Sequence, residues 1–104
     1  MNPNNIKIGD LEIEKTLVLS TCHISPHHNL DLQEGVYSNL IVRVYSYGFL
    51  IHVQDDRGLL KKELKPSIPV ELFNLILLAR RAGCSWLKLD CDGPKVQGLP
   101  KFDW

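Results

Sequence analysis

Apolar and polar residues alternate most clearly in two neighbouring segments, 40–45 and 49–54. In each segment every second position is apolar, and this period of two predicts a β-strand. Gly48 lies between the segments and permits a tight turn, while "DDRG" provides an exit from the second strand. The two segments therefore predict a β-hairpin.

The segment 69–83 has apolar residues at helical spacing. Pro69 stands at its start, Glu71 in its first turn and Gly83 just past its end, which are favourable positions for these residue types. Its apolar stripe is unusually wide: Leu72, Phe73, Leu75, Ile76, Leu77, Leu78 and Ala79. We expect a broadly buried helix, with the alternative that part of this face contacts a second chain, as in a homodimer.

Four further segments complete the chain. The continuous apolar run 16–19 predicts a strand that is covered on both faces or lies at the centre of a sheet. Ser25 can cap, and Pro26 can begin, a short helix that ends at Gly35. "CSWLKLD" predicts the last strand, and residues 59–68 predict a loop with some extended character.

The predicted order is strand, helix, strand, strand, helix, strand. This order is typical of an α+β, ferredoxin-like (split βαβ) two-layer sandwich. Both crossovers would be right-handed, which would put both helices on one face of the sheet. We expect residues 1–104 to form a single domain, with residues 1–10 loosely held. The irregular tail 93–104 would fold back onto the body, because burying the indole of Trp104 would be favourable.

Composition narrows the function classes. The chain has 104 residues, and twelve basic residues balance twelve acidic ones, so its formal net charge is zero. This balance argues against a dedicated phosphate-backbone binder. No apolar run is long enough for a membrane span, and no secretory signal is visible. The cysteines Cys22, Cys84 and Cys91 are odd in number and irregularly spaced, which favours a reducing, cytoplasmic setting.

The stretch "LKLDCDGP" is the first candidate for chemistry. Asp90 and Asp92 are two positions apart and would lie on one strand face, which is a reasonable geometry for a magnesium site or an acid/base pair. The same residues are also what a strand exit prefers. The calcium-loop pattern fails because no closing Glu follows, and no zinc-binding pair such as C-x-x-C is present. We therefore predict no metal and no cofactor.

His23 is the second candidate, because it follows directly after the first strand. If the carboxyl ends of the first and last strands meet, His23 could approach Asp90 and act as a base or a metal ligand. The alternative is a structural histidine whose ring nitrogens satisfy nearby backbone groups.

Aromatic residues around the predicted hairpin form a candidate binding surface. Tyr45, Tyr47 and Phe49 could stack on nucleobases, as in RNA-binding sheets. The basic-aromatic motif of such domains is missing, which argues against nucleic acid as the ligand, and the three aromatics fit ordinary strand positions.

Several short motifs along the chain carry a resemblance to a known family. The chain contains S-T-x-H-I after the first strand, Y-G-F at the hairpin, A-x-x-x-G-C at the helix end, and a closing D-x-D-G-P, L-P and D-W. These residues are Ser20, Thr21, His23, Ile24, Tyr47, Gly48, Phe49, Ala79, Gly83, Cys84, Asp90, Asp92, Gly93, Pro94, Leu99, Pro100, Asp103 and Trp104. After residue 15 the chain resembles a family of short bacterial and phage proteins described only as a domain of unknown function. Family members tend to have a longer, acidic first helix.

The resemblance implies a phage or mobile-element setting and no established activity. Our leading hypothesis is a small non-enzymatic module that binds a protein partner, and that inhibits or regulates host machinery. Its binding residues would be Tyr45, Tyr47, Phe49, Asp92 and Trp104. The alternative is a small metal-dependent or acid/base enzyme that uses His23, Asp90 and Asp92. A weaker alternative is binding of single-stranded nucleic acid on the sheet.

Overall fold

The structure is a computed structural model that describes residues 3–56, 58 and 60–103. Over these residues a four-stranded sheet combines with two α-helices, which confirms the predicted α+β class. The elements are β1 (Thr16–Ser20), α1 (Pro26–Gln33), β2 (Val42–Tyr45), β3 (Gly48–His52), α2 (Val70–Arg81) and β4 (Trp86–Asp90). Short 3₁₀ turns include Ile8–Asp10 and Thr21–His23.

The strand order differs from the ferredoxin-like expectation. The sheet runs β1-β4-β3-β2, with β1 parallel to β4 and the other neighbours antiparallel. A split βαβ arrangement would put β1 between β3 and β4. Here β3 and β4 are hydrogen-bonded directly and run in opposite directions. The α2 connection is therefore not a parallel crossover, and the handedness rule does not apply to it.

The strand β1 lies at an edge of the sheet, contrary to the expectation of a central or doubly covered strand. Leu19 points into the core and is buried, whereas Val18 lies on the other face and is 38% exposed. A continuous apolar run does not distinguish a strand covered on both faces from an edge strand with one open face. In both, successive side chains point to opposite faces of the sheet.

One face of the sheet packs against the helices. Alternate strand residues such as Phe49, Ile51, Leu87 and Leu89 are buried there. From α2 the core receives Leu72, Phe73, Leu75, Ile76 and Ala79. Full burial of a large apolar side chain, such as each Leu or Ile of this set, stabilises the folded state by roughly 1.5–3 kcal/mol. Both Leu77 and Leu78 are partly buried, so the wide stripe of α2 is largely used inside this chain.

The helix α1 begins and ends where the sequence predicts. The Ser25 hydroxyl accepts a hydrogen bond from the His28 amide at 3.3 Å, and Pro26 occupies the first turn. Beyond the helix, Gly35 has φ of 70°, a conformation that favours glycine. His28 also pairs with Glu71, which ties α1 to the first turn of α2.

Residues 60–67 are helical rather than extended, which corrects the prediction for the segment 59–68; Leu59 itself lies outside the described residues. Leu60–Leu64 form one π-helical turn, and Lys65–Ser67 form a 3₁₀ turn. Leu60 and Leu64 are buried in the core. Their four-residue spacing places both on one side of a helical turn, and burial of that side decides the conformation.

Candidate binding site at the hairpin end of the sheet

Most of the residues singled out from the sequence lie at one end of the sheet. Because β1 and β4 are adjacent and parallel, their last residues Ser20 and Asp90 are register partners. Gly48, the first residue of β3, pairs with Asp90 as well. The hairpin turn therefore lies beside the exits of β1 and β4, and the Cys91 amide donates to the Tyr47 carbonyl at 2.8 Å.

The side chains of Tyr45 and Asp90 are joined by a hydrogen bond across β3. The Tyr45 hydroxyl donates to Asp90 Oδ2 at 2.6 Å. The residue between them is Gly48, which pairs with both. A Cβ at Gly48 would lie 1.8 Å from the Leu89 carbonyl oxygen, so glycine is required for this close approach. The Lys88 ammonium lies 5.3 Å from the centre of the Tyr45 ring.

This hydrogen bond is the main cause of the shifted pKa of Asp90. The Tyr45 hydroxyl, and then the Asp92 amide, hold the pKa of Asp90 below its usual range. Partial desolvation, and then the bond to Asp90, raise the pKa of Tyr45 above its usual range. Asp90 is therefore ionised near neutral pH and is poorly suited to exchange protons with a substrate there.

The turn after β4 is organised by backbone contacts. The Asp92 amide donates to Asp90 Oδ1 at 2.8 Å, which is the usual side-chain turn of an aspartate. A Cβ at Gly93 would lie 2.6 Å from the Leu19 carbonyl oxygen. The Pro94 carbonyl then accepts from the Ser20 amide at 2.8 Å. The D-x-D-G-P motif therefore ends β4 and holds the tail against the exit of β1.

Asp90, Cys91 and Asp92 offer three possible metal-ligand atoms within 4.8 Å of one another. Both Asp90 oxygens already accept hydrogen bonds. Desolvation, and then the charges of Asp92 and Asp90, raise the pKa of the Cys91 thiol, so it stays protonated and is a weak ligand and nucleophile near neutral pH. A hard divalent cation bound by the two carboxylates would compete with these hydrogen bonds for the Asp90 oxygens.

His23 is an internal structural residue. Its side chain is 0% exposed. The Val96 amide donates to Nε2 at 3.0 Å, and Nδ1 lies 2.7 Å from the Pro100 carbonyl oxygen. A backbone amide only donates and a carbonyl only accepts, so the ring is the neutral tautomer with its proton on Nδ1. The ring therefore fastens the tail to the body, and neither nitrogen is available to a substrate.

A concave cleft of about 200 Å³ opens beside the hairpin turn. Its walls come from the 3₁₀ turn after β1, from α1, from the β2–β3 hairpin and from the turn after β4. The lining residues are Thr21, Asn29, Gln33, Val44, Tyr45, Ser46, Tyr47, Gly48, Phe49 and Cys91. We call it the hairpin cleft.

The polar groups of α1 in the hairpin cleft are not visible from motifs. Asn29 and Gln33 lie four residues apart and so share one helix face. Within the part of the chain that the structure describes, their side-chain amides have no hydrogen-bond partner. The four-residue spacing of the two amides is visible in the sequence. It indicates a binding surface only when the position of α1 beside the hairpin is known.

The structure places the predicted binding residues in different environments. Tyr47 is 61% exposed at the cleft rim, and Asp92 is exposed in the neighbouring turn. Tyr45 is partly buried by its contacts with Asp90 and Lys88. Phe49 borders the cleft, but its side chain is 3% exposed and belongs to the core. Trp104 lies outside the described residues.

Comparison with known proteins gives one match. Residues 16–104 match the family of unknown function (DUF5983) C-terminal domain. The chain belongs to this family. The match begins at β1 and includes every element of the hairpin cleft, so the cleft lies inside the family's domain. No curated protein and no solved structure matches this DUF5983 chain.

Among the described residues, no helix has the length and apolar character that crossing a membrane requires.

Proposed function

We propose that this chain is a small, non-enzymatic protein-binding module that holds a polar segment of its partner in the hairpin cleft. The observation that carries the proposal is the cleft itself. The solvent-accessible side-chain amides of Asn29 and Gln33 stand beside an exposed aromatic ring, Tyr47. Such amides pair well with the backbone N–H and C=O groups of an extended peptide.

The surroundings of the cleft resemble a protein interface more than a nucleic-acid site. No Lys or Arg is among its lining residues, so a phosphate backbone would not be neutralised there. The nearby carboxylates of Asp90 and Asp92 would repel phosphates. By contrast, Tyr47 and Val44 are exposed apolar side chains at the rim, at 61% and 53%, and aromatic residues are enriched at the centres of protein interfaces.

The geometry does not favour the acid/base alternative. That hypothesis needs His23, Asp90 and Asp92 to face one cleft. Both His23 nitrogens are bonded to the tail backbone, and the pKa of Asp90 is lowered by its hydrogen bonds to Tyr45 and the Asp92 amide. None of the three lines the hairpin cleft.

The proposal also covers the biological origin of the chain and its location in the cell. The resemblance of the sequence to bacterial and phage proteins supports a role encoded by a phage or mobile element, in which binding inhibits or regulates host machinery. The three free cysteines, Cys22, Cys84 and Cys91, support a reducing cytoplasmic location.

The test is capture of bacterial proteins on the immobilised chain, followed by titration of each captured protein. The cleft variants are Asn29→Ala with Gln33→Ala, and Tyr47→Ala. The matched control is Asn74→Ala, which removes an exposed amide from α2. A cleft partner should bind the control normally and the cleft variants roughly tenfold or more weakly.

Two results would contradict the proposal. One is a captured protein whose dissociation constant is unchanged in all cleft variants. The other is retention of a mixed single-stranded oligonucleotide pool at low salt with no protein partner, which would support nucleic-acid binding instead.

A further inference from the structure

The second face of the sheet points away from the helices and is open. Its central row is formed by register partners Val18, Lys88, Leu50 and Arg43. These residues, with Thr16 and Tyr45, line a broad groove of about 510 Å³. We call it the open groove. Across this row two apolar side chains, Val18 and Leu50, alternate with two cations, Lys88 and Arg43.

The cations of the open groove are incompletely compensated. Lys88 lies over the Tyr45 ring, at a distance of 5.3 Å from its centre. Within the described part of the chain, no carboxylate lies within salt-bridge distance of Arg43 or Lys88. An occupant that combines aliphatic side chains with carboxylates would therefore complement the open groove in both shape and charge.

Such a segment precedes β1 in this chain. We call residues 4–14 the N-terminal arm. Every residue of this arm is exposed. Its aliphatic residues Ile6, Ile8, Leu11 and Ile13 are 40–68% exposed. Its carboxylates are Asp10, Glu12 and Glu14. The arm therefore carries the aliphatic and acidic groups that the open groove requires.

In this structure no residue of the described arm lines the open groove of its own chain. The Lys15 carbonyl accepts from the amides of Ser85 and Trp86, and its ammonium donates to the Ala82 carbonyl. These three contacts hold the chain just before β1, and the Trp86 indole donates to Glu14 Oε2 at 2.5 Å, so Glu14 is already engaged within its own chain. The radius of gyration is 15.2 Å, compared with about 13 Å for a compact chain of this length.

We propose that the open groove binds the N-terminal arm of a second copy of this chain, in a reciprocal dimer. Leu11 and Ile13 of each copy cover Val18 and Leu50 of the other. Glu12 pairs with Arg43 of the groove, and Asp10 pairs with Lys88. One two-fold axis makes both exchanges at once, because the arm and the groove belong to the same chain. This surface is separate from the peptide-binding role proposed for the hairpin cleft.

The test is sedimentation equilibrium of the full chain over a range up to about 100 μM, where a micromolar dimer is largely formed. Arm substitution Ile13→Asp and groove substitution Arg43→Glu should each raise the dimer dissociation constant roughly tenfold or more. Lys62→Glu is the matched control, because it reverses an exposed charge on the turn Leu60–Leu64, outside the open groove.

A charge exchange tests the pairing directly. Glu12→Arg alone should weaken the dimer. Glu12→Arg combined with Arg43→Glu should recover most of the lost affinity, because the attractive pair is restored with its signs reversed. Equal melting temperatures of these variants would show that the effects are on association and not on folding.

A monomer at all concentrations would overturn the proposal. A dimer that tolerates both Ile13→Asp and Arg43→Glu would overturn it equally, since that dimer would use another surface. A dimer in which the charge exchange gives no recovery would exclude the proposed contact between Glu12 and Arg43.

Discussion

The buried ring of His23 leads to the sharpest prediction from this structure. Replacing it with alanine, His23→Ala, removes the hydrogen bonds to the Val96 amide and the Pro100 carbonyl. Each lost bond should cost about 1 kcal/mol, at the low end because Val96 and Pro100 are themselves exposed and can be rehydrated. The cavity left by a fully buried ring should cost about 2 kcal/mol more. The expected loss in the free energy of unfolding is therefore about 4 kcal/mol.

Urea unfolding followed by circular dichroism measures this loss. The matched control is His27→Ala, whose side chain is 80% exposed and should change the free energy of unfolding by no more than about 0.5 kcal/mol. His23→Phe retains most of the volume without the hydrogen bonds and should fall between the two. Hydrogen exchange adds a local observable, because the Val96 amide should lose its protection in both His23 variants.

The outcome that would refute the reasoning is a difference of less than about 1 kcal/mol between His23→Ala and His27→Ala. Unchanged protection of the Val96 amide would refute it as well, since that amide donates to the imidazole. Either result would mean that the tail is held to the body by other contacts, and that His23 is free for another role.

Four further predictions concern the same end of the molecule. Gly93→Ala should destabilise the chain by roughly 1–3 kcal/mol in urea unfolding, because its Cβ would meet the Leu19 carbonyl; an unaffected midpoint would contradict the packing of the turn. Ser25→Ala should cost about 1 kcal/mol through loss of the α1 cap, whereas Ser38→Ala, at an exposed position outside the helix, should change the midpoint little. The pKa of Asp90 is lowered by folding, so its contribution to stability is present above the unfolded pKa and is lost as pH falls through the folded value. Tyr45→Phe should reduce this acid-dependent fall in melting temperature, and an identical pH profile would show that the hydroxyl does not stabilise the carboxylate. Native mass spectrometry of protein purified without chelator should give the mass of the bare chain, because Asp90 and Cys91 are poorly prepared to bind metal. An added divalent ion that disappears in Asp92→Asn would make the turn a metal site.

Local signals in the sequence were sufficient to predict most of the helices and strands. The cap at Ser25, the left-handed Gly35 and the alternation around the hairpin gave correct helices and strands. These features depend on neighbours within a few residues, and such neighbours are visible in the sequence. The same reasoning failed over residues 60–67, where burial of Leu60 and Leu64 overrides a weak local preference.

The order of the strands was beyond local reasoning. The pairing of β1 with β4 depends on contacts between distant segments, and no turn chemistry fixes it. The same limit explains why β1 was expected at the centre of the sheet. It also explains why Asn29 and Gln33 were missed, since their position in the cleft follows from how α1 packs against the hairpin.

Several candidate residues lie at one end of the sheet, but their contacts there are not those of a shared catalytic site. Both His23 and Asp90 lie where their strands end, as expected, yet one is enclosed by the tail and the other is held by Tyr45. A sequence motif identifies residues that are needed together. It does not distinguish a residue that touches a ligand from one that holds the backbone in place.

The pairing of the first strand with the last determines when this chain can fold during synthesis. Thr16 and Trp86 are register partners although about seventy residues separate them. Until β4 has left the ribosome, β1 has no neighbour in the sheet, and the contacts of His23 must wait for the tail as well. Closing such a long loop slows folding. A nascent chain that stalls before residue 86 would therefore expose an unpaired apolar strand edge, which is a substrate for chaperones and proteases.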